Sequence, residues 1–311
     1  VRIGSRQSRL AVIQAEIVKQ QIERAHPRVR VEIITMKTTG DKILDKSLAE
    51  IGGKGLFVKE LDKALLNKEI DLAVHSLKDV PMETDERLPI LACTKREDAR
   101  DVLLLKEGKT EEDLKKKGAV IGTSSRRRAL QLEKLYPQCR FVGMRGNVQT
   151  RLSKLEEGEY TATVLAAAGL ARLGMEEIIG RYFSVKELLP AAGQGILAIQ
   201  GRYGEVYPYL EGVRDEAAQI AGRAERAFVK ALDGGCTSPV AAYARIKQET
   251  LELRGLYYEE EQKEYAVDVI AGDKEQAEKL GISRMKVIKL LEKAKQTGVI
   301  QFKISPERSQ Q

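Results

Sequence analysis

An alternation of buried strands and amphipathic helices along most of the chain is the feature that most constrains its fold. The stretch IDLAVHSL (70–77) is a nearly continuous apolar run, which is typical of a strand buried in a parallel sheet. From about residue 101 onward, a strand, a polar turn and a helix follow one another three times, beginning with AVIGTSSRRRALQLEKLY (119–136). Strands that alternate with helices predict doubly wound α/β domains, with helices on both faces of each sheet.

The length of 311 residues is too great for one ordinary hydrophobic core and predicts several domains. We predict an α/β fold of two doubly wound, periplasmic-binding-protein-like domains and a smaller C-terminal α+β domain. The first domain is expected to comprise residues 1–97 and 194–214, because the strand in LLPAAGQGILAIQGR (188–202) returns to it. Residues 98–193 then form the second domain and residues 215–311 the third.

Composition places the chain among soluble globular proteins, with 42% hydrophobic and 32% charged residues. No apolar run approaches the roughly 20 residues that span a bilayer, and VRIG at the start carries no signal-peptide pattern. Three scattered cysteines favour a reducing compartment over a disulfide framework, and two histidines argue against a Cys/His zinc site. We therefore expect a cytoplasmic protein that binds neither metal nor membrane.

The basic excess, 53 Lys and Arg against 46 Asp and Glu, is concentrated in arginines at strand-to-helix junctions. In GTSSRRR (122–128), the hydroxyls of Thr123 and Ser124 and the free N–H groups of the helix start favour an anion. Ligands of open α/β sheets bind beyond the carboxyl ends of the strands. The alternative for GTSSRRR is a solvated charge run on the first turn of the helix, and the alternative for any single arginine is a structural role. The arginines that we expect to face one crevice and bind a polyanion are Arg127, Arg128, Arg145, Arg151 and Arg172.

Two further basic stretches can reach the same crevice. SRQSRL (5–10) follows the first strand and supplies Arg6 and Ser8, and GGKGLF (52–57) supplies Lys54 on a glycine-rich loop. This loop lacks the spacing and the Lys-Ser/Thr pair of a Walker motif, and its glycines are equally explained by a simple turn.

Lys78 and Asp79 follow His75 where HSLKDVP (75–81) leaves a buried strand. Pro81 ends the element and fixes the loop. A carboxylate held there can act as a general acid or base, or can stabilise a cationic intermediate. The alternative is a surface ion pair between Asp79 and Lys78.

Cys236 lies between a glycine pair and a proline in DGGCTSP (233–239), where an exposed turn is expected. Such a thiol is accessible to chemistry, yet no histidine lies near it in the sequence to act as a base. An attachment point is therefore a better interpretation than a turnover nucleophile.

Motifs spread in order over nearly the whole chain resemble those of the porphobilinogen deaminase (hydroxymethylbilane synthase) family. They are RQSRLA, TTGDK, GGKGLFVKEL, DLAVHSLKDVP, GTSSRRR, RGNVQTRL, AAGLARLG, PAAGQGILAI and DGGCTSPVAAYA. The resemblance implies a three-domain transferase of tetrapyrrole biosynthesis, which condenses four porphobilinogen molecules head to tail, releases ammonia at each step and yields linear hydroxymethylbilane. We expect a monomer that binds this small molecule and no nucleic acid.

The resemblance further assigns roles to individual residues. It implies that Cys236 holds a dipyrromethane cofactor through a thioether, and that Asp79 is catalytic and stabilises cationic pyrroles. The implied cofactor-binding residues are Lys78, Thr123, Ser124, Arg127, Arg128 and Arg145. The implied substrate-binding residues are Arg6, Ser8, Lys54, Arg145, Arg151 and Arg172.

Two alternatives from other classes remain open at this point. Two hinged α/β domains also suit a solute-binding protein, which needs neither a reactive Cys236 nor Asp79. A helix-turn-helix pattern over residues 275–300 suits a DNA-binding regulator that reads bases with residues 283–291. We interpret that segment as a packing helix of the third domain, because little chain remains for a second reading unit.

Overall fold

A computed structural model describes residues 1–38, 58–232, 234, 238–259 and 264–281 of the chain. Lys54, Cys236 and the segment from residue 282 onward lie outside these described residues. The strands are β1 (Arg2–Arg6), β2 (Glu32–Met36), β3 (Leu72–Ser76), β4 (Ile90–Cys93), β5 (Asp101–Leu105), β6 (Val120–Gly122), β7 (Arg140–Val142), β8 (Ala162–Ala166), β9 (Arg181–Tyr182), β10 (Leu197–Gln200), β11 (Ala241–Lys247), β12 (Thr250–Glu259) and β13 (Glu264–Asp273). The longer helices are α1 (Arg9–Ala25), α2 (Lys59–Leu66), α3 (Arg126–Leu135), α4 (Val148–Glu157), α5 (Ala167–Leu173) and α6 (Glu216–Ala231). None of the helices in the described ranges is long and apolar enough to cross a bilayer.

The first sheet has the strand order β2-β1-β3-β10-β4. Its first three strands are parallel, so that Ile3 of β1 lies between Ile33 of β2 and Leu72 of β3. β10 follows the second sheet in the chain, yet it lies antiparallel between β3 and β4. The chain therefore crosses from the first sheet to the second and back.

Both faces of the first sheet are covered by helices. Leu72 and Val74 pack in one apolar cluster with Val18 of α1. Ala73, between them, packs in another cluster with Leu61 of α2. Alternate residues of a strand point to opposite faces, so the two helices cover opposite sides.

The second sheet repeats this plan with the order β7-β6-β8-β5-β9. Ile121 and Val164 pack with Leu132 of α3 on one face. Leu165 packs with Leu155 of α4 on the other. The predicted doubly wound α/β architecture is confirmed for both sheets.

A smaller antiparallel sheet, β11-β12-β13, completes the described fold. α6 lays an apolar face on it, with Ala224 and Phe228 in one cluster with Ala242 and Leu253. The Asp215 carboxylate caps the start of α6 by accepting from the Ala218 N–H at 2.7 Å. The predicted C-terminal α+β unit is therefore confirmed.

Candidate active site

Asp79 lies on a short 3-10 turn, Leu77–Asp79, that leads directly out of β3. The turn is anchored on both sides of Asp79, because Leu77 is 1% and Val80 is 2% exposed. The Leu77 N–H also donates to the Ile196 carbonyl at 2.9 Å. Asp79 itself is exposed. The arrangement presents a carboxylate to a ligand from a rigid support.

Lys78 lies beside Asp79, in the direction of the second sheet. Its Nζ donates to Oε1 of Gln194 at 3.3 Å. Burial lowers the pKa of Lys78 to about 8; the Asp79 charge opposes that shift, whereas the charges of Arg128 and Arg127 add to it. Lys78 is thus mostly cationic at neutral pH, but it is close to losing its proton.

His75 does not belong to the reactive set. It is 7% exposed, and its Nε2 lies 3.1 Å from Oε1 of Gln200. Burial lowers the pKa of His75 to about 4, so the imidazole is neutral at physiological pH. His75 therefore has a structural role within β3.

Arg127 and Arg128 are buried and ion-paired to the same carboxylate, that of Asp101 at the start of β5. Nη1 of Arg127 donates to Asp101 Oδ2 at 2.8 Å and to the Leu189 carbonyl at 2.7 Å. Nη2 of Arg128 donates to Asp101 Oδ1 at 2.7 Å, and its Nη1 donates to the Val164 carbonyl at 2.9 Å. The two arginines are therefore structural ion-pair partners as well as candidate ligand groups.

Arginines in the first turn of a helix are unfavourable, because that end of the helix dipole is positive. The Asp101 carboxylate offsets this cost by pairing with Arg127 and Arg128. Burial alone would raise the pKa of Asp101, but the guanidinium groups of Arg127 and Arg128 hold it well below its usual range. Gln194 extends the network, because its Nε2 donates to Asp101 Oδ1 at 3.0 Å while its Oε1 accepts from Lys78. Gln194 thereby links the Asp79 turn to the start of α3.

The hydroxyl residues before α3 differ in their surroundings. Thr123 is buried, and its Oγ1 accepts from the Ser125 N–H at 3.2 Å. Ser124 is exposed. The Ser125 hydroxyl caps α3 by accepting from the Arg128 N–H. Of the two predicted hydroxyls, Ser124 is therefore the more accessible to a ligand.

Arg145 and Arg151 flank the β7–α4 turn and have no carboxylate within ion-pair distance among the described residues. Arg151 donates from Nε to the Gly146 carbonyl at 2.9 Å. Nη1 of Arg145 is buried and has no hydrogen-bond partner within the described ranges. Burial lowers the pKa of Arg151 to about 10; the Arg128 and Arg145 charges add to the shift, and Asp79 opposes it.

The remaining predicted site residues are less closely tied to this group. The Ser8 hydroxyl caps α1 by accepting from the Ala11 N–H, and Arg6 ends β1 close enough to affect the pKa of His75. Arg172 donates from Nη2 to the Gly195 carbonyl at 2.6 Å, on the segment that returns to the first sheet. Lys54 and Cys236 fall outside the described residues, so the structure places neither.

Seven charged residues that interact across the first two sheets form what we call the cleft cluster. They are Lys78, Asp79, Asp101, Arg127, Arg128, Arg145 and Arg151. Five cations face two carboxylates, so the cluster carries a surplus of positive charge. A ligand with several carboxylates would complement this surplus and would supply the acceptor that Arg145 Nη1 lacks. The donor set therefore fits a polyanionic cofactor and substrate.

Sequence reasoning missed Asp101 and Gln194. The only signal for Asp101 was an acidic residue at the head of the apolar run DVLLL (101–105). The signal for Gln194 was weaker, because it was only a polar residue between two glycines in AAGQG (191–195).

A cationic cluster at two α/β sheets fits the class of proteins that bind an anionic ligand beside such sheets. Comparison with models of known protein families identifies the family within that class. The model described as porphobilinogen deaminase, dipyromethane cofactor binding domain, matches residues 1–206, and the model of the porphobilinogen deaminase C-terminal domain matches residues 220–289. The chain belongs to the porphobilinogen deaminase family, which confirms the resemblance seen in its motifs.

Curated relatives agree with the family models over nearly their full lengths. The porphobilinogen deaminase of Ruminiclostridium cellulolyticum is 51% identical over 92% of this chain and 96% of its own. That of Ruminiclostridium josui is 50% identical over 93% and 97%, and that of Acetivibrio thermocellus is 53% identical over 91% and 96%. The solved sulphonate binding protein SsuA of Escherichia coli overlaps 75% of this chain and 70% of its own, at 14% identity and a TM-score of 0.38. The fold is established by the order and pairing of the strands in its sheets.

Proposed function

We propose that the cleft cluster carries out the reaction of the porphobilinogen deaminase family, with Asp79 as the catalytic group. The protein is a transferase that joins porphobilinogen units head to tail into hydroxymethylbilane for tetrapyrrole biosynthesis. The observation that supports this proposal best is an exposed carboxylate on an anchored turn beside a surplus of cations.

Asp79 has two tasks in this reaction. Loss of ammonia from porphobilinogen leaves a cationic pyrrole, which a fixed carboxylate near the ring nitrogen stabilises electrostatically. The same carboxylate can assist proton transfer as ammonia leaves. The rigid Leu77–Asp79 turn keeps the carboxylate in place, so little reorganisation is needed during the reaction.

The cations bind the acetate and propionate groups that every pyrrole ring carries. We assign cofactor carboxylates to Lys78, Arg127, Arg128 and Arg145, with hydroxyl donors from Thr123 and Ser124. Substrate carboxylates are assigned to Arg6, Ser8, Lys54, Arg145, Arg151 and Arg172. Arg145 belongs to both sets, so we propose that it binds a carboxylate of the cofactor and later one of the growing chain.

The family's dipyrromethane cofactor supplies, when bound, a covalent primer that keeps the growing chain from diffusing away. We assign its attachment to Cys236 through a thioether, which thiol exchange does not break. Burial raises the pKa of Cys93 to about 11 and also raises that of Cys139, so both thiols are poor nucleophiles at neutral pH.

The three sheets are proposed to be the cores of three domains, with boundaries at residues 1–97 with 194–214, 98–193 and 215–311. We further propose that the protein acts in the cytoplasm as a monomer and binds no nucleic acid. The segment 275–300 then packs within the third domain.

Assay of purified protein with porphobilinogen tests the function, with hydroxymethylbilane and ammonia measured in parallel. Intact-mass measurement tests the attachment. Wild type, Cys93→Ser and Cys139→Ser should carry the dipyrromethane increment, and Cys236→Ser should lack it. A protein that neither turns over nor carries pyrroles would instead fit a solute-binding protein, and sequence-selective duplex binding would fit a DNA-binding regulator.

A further inference from the structure

The turn that carries Asp79 rests on one face of α6, the helix of the third unit. Ala218, Gly222 and Arg226 are spaced four apart and lie on that face, which we call the α6 stripe. Ala218 packs in one apolar cluster with Leu77 and Val80. A Cβ added at Gly222 would lie 2.8 Å from Cδ2 of Leu77, so the helix backbone approaches the turn very closely there.

Arg226 completes the stripe with hydrogen bonds to the backbone just after Asp79. Its Nη1 donates to the Val80 carbonyl at 2.9 Å, and its Nη2 donates to the Pro81 carbonyl at 2.5 Å and the Met82 carbonyl at 3.4 Å. A planar guanidinium can satisfy several such acceptors at once, which a single ammonium or amide cannot. Three consecutive carbonyls after Asp79 are therefore held by one side chain from another domain.

Met82 adds an apolar contact to the same attachment. Its side chain packs against the cluster between α6 and the third sheet, which contains Ala224 and Phe228. α6 ends at Ala231, five positions before Cys236. One rigid helix thus supports the Asp79 turn on its side and leads at its C-terminus into the stretch that contains the attachment cysteine.

We propose that Arg226 is a positioning residue, which fixes the Asp79 carboxylate relative to the unit that carries the cofactor; this rests on the role proposed for Asp79. Without the guanidinium, the carbonyls of residues 80–82 lose a common donor, and the turn is free to shift relative to α6. Displacement of a catalytic group by about 1 Å can lower a rate on the order of a hundredfold. Arg226 acts through Asp79 and is not expected to contact substrate.

The test compares Arg226→Gln and Arg226→Lys with Arg223→Gln, a matched control on the same helix whose side chain is 55% exposed. All are assayed as holoenzyme with porphobilinogen, after intact mass has shown the dipyrromethane increment. Arg226→Gln should lower kcat on the order of tenfold or more and change KM by no more than about twofold. Arg226→Lys should fall between it and wild type, and Arg223→Gln should match wild type.

A double-mutant cycle separates positioning from a general loss of structure. In an Asp79→Ala background, Arg226→Gln should lower the residual rate no further, because its effect passes through the missing carboxylate. Wild-type kcat in loaded Arg226→Gln, or an equal loss in the Asp79→Ala background, would overturn the proposal. If Arg226→Gln does not fold, Arg226→Lys is measured in both backgrounds, and the same two outcomes would overturn the proposal. Inactive wild-type holoenzyme would instead refute the proposed function.

Discussion

Arg128 and Arg151 are both arginines in the first turns of helices that follow parallel strands, yet the structure uses them differently. Arg128 is buried and makes two hydrogen bonds to Asp101, a carboxylate that it shares with Arg127. Within the described ranges, Arg151 donates to the Gly146 carbonyl and has no carboxylate within ion-pair distance. The difference shows that equivalent positions in a repeated strand–turn–helix plan can carry an arginine that is held by a buried carboxylate or one that is held by a backbone carbonyl.

The largest expected effect is on stability at Asp101. Asp101→Ala leaves two buried guanidinium groups without their carboxylate, which should lower the free energy of unfolding by about 3–5 kcal/mol. Urea denaturation of the purified variant measures this loss. Asp98→Ala, which breaks the more exposed pair with Arg100, is the control and should lose no more than about 1 kcal/mol. Equal losses in the two variants would contradict the structural role of Asp101.

The next effect separates the two arginines directly. Arg128→Leu should be destabilised on the order of 2–4 kcal/mol, because it leaves the buried Asp101 with one partner. Arg151→Leu should keep its stability within about 1 kcal/mol and raise KM roughly tenfold or more, since a charged hydrogen bond is worth about 1.5–3 kcal/mol. Urea denaturation and steady-state kinetics on both proteins test this difference. A stable Arg128→Leu together with a destabilised Arg151→Leu would contradict it.

A third effect is the pH dependence of cofactor binding through Lys78. Its pKa in the fold is about 8, below the ordinary value of 10.5. Burial of the cation therefore lowers the free energy of unfolding below about pH 8. This loss of stability shrinks as the pH rises from about 8 toward 10.5. If the cation binds a cofactor carboxylate, the rate at which cofactor-free wild type gains the dipyrromethane increment should fall between about pH 8 and pH 9.5 as the proton is lost, whereas that of Lys78→Arg should stay flat. Parallel profiles in the two proteins would remove Lys78 from the carboxylate-binding set.

The smallest effect concerns Ser8. As the cap of α1, its loss in Ser8→Ala should lower stability by about 1 kcal/mol, and Ser8→Asn should restore it by keeping a side-chain acceptor. If Ser8 also donates to substrate, KM should rise in Ser8→Ala, which has no donor, whereas a purely structural Ser8 would leave KM unchanged. Thermal unfolding and KM measured on the same preparations distinguish the two roles.

The sequence predicted those features that depend on local pattern. The apolar run up to HSLKDVP predicted a buried strand, and the strand ends at Ser76, directly before the turn that carries Asp79. The position of Asp79 just beyond the strand therefore followed from neighbouring residues alone. The cap residues of α1 and α3 are of the types that favour helix starts. Such signals act over a few positions and survive in any tertiary context.

Features that depend on long-range contacts were not predictable in the same way. The Asp101 carboxylate meets Arg127 and Arg128 across 26 and 27 positions of sequence, and Gln194 meets Lys78 across 116. A stretch of arginines looks the same whether a ligand or a buried carboxylate neutralises it. The ion pair with Asp101 depends on the fold, because the sheet order places β5 next to β8 and α3 packs over these strands.

The most direct measurement of the central claim is kcat of holoenzyme in which Asp79 alone is changed. Asp79→Ala and Glu86→Gln, an exposed acid on the following loop, should both fold and carry the dipyrromethane increment. Asp79→Ala should lose on the order of a hundredfold or more in hydroxymethylbilane formation, because cation stabilisation and proton transfer both disappear. Glu86→Gln should match wild type. A loaded, folded Asp79→Ala protein that turns over porphobilinogen at the wild-type rate would contradict the account.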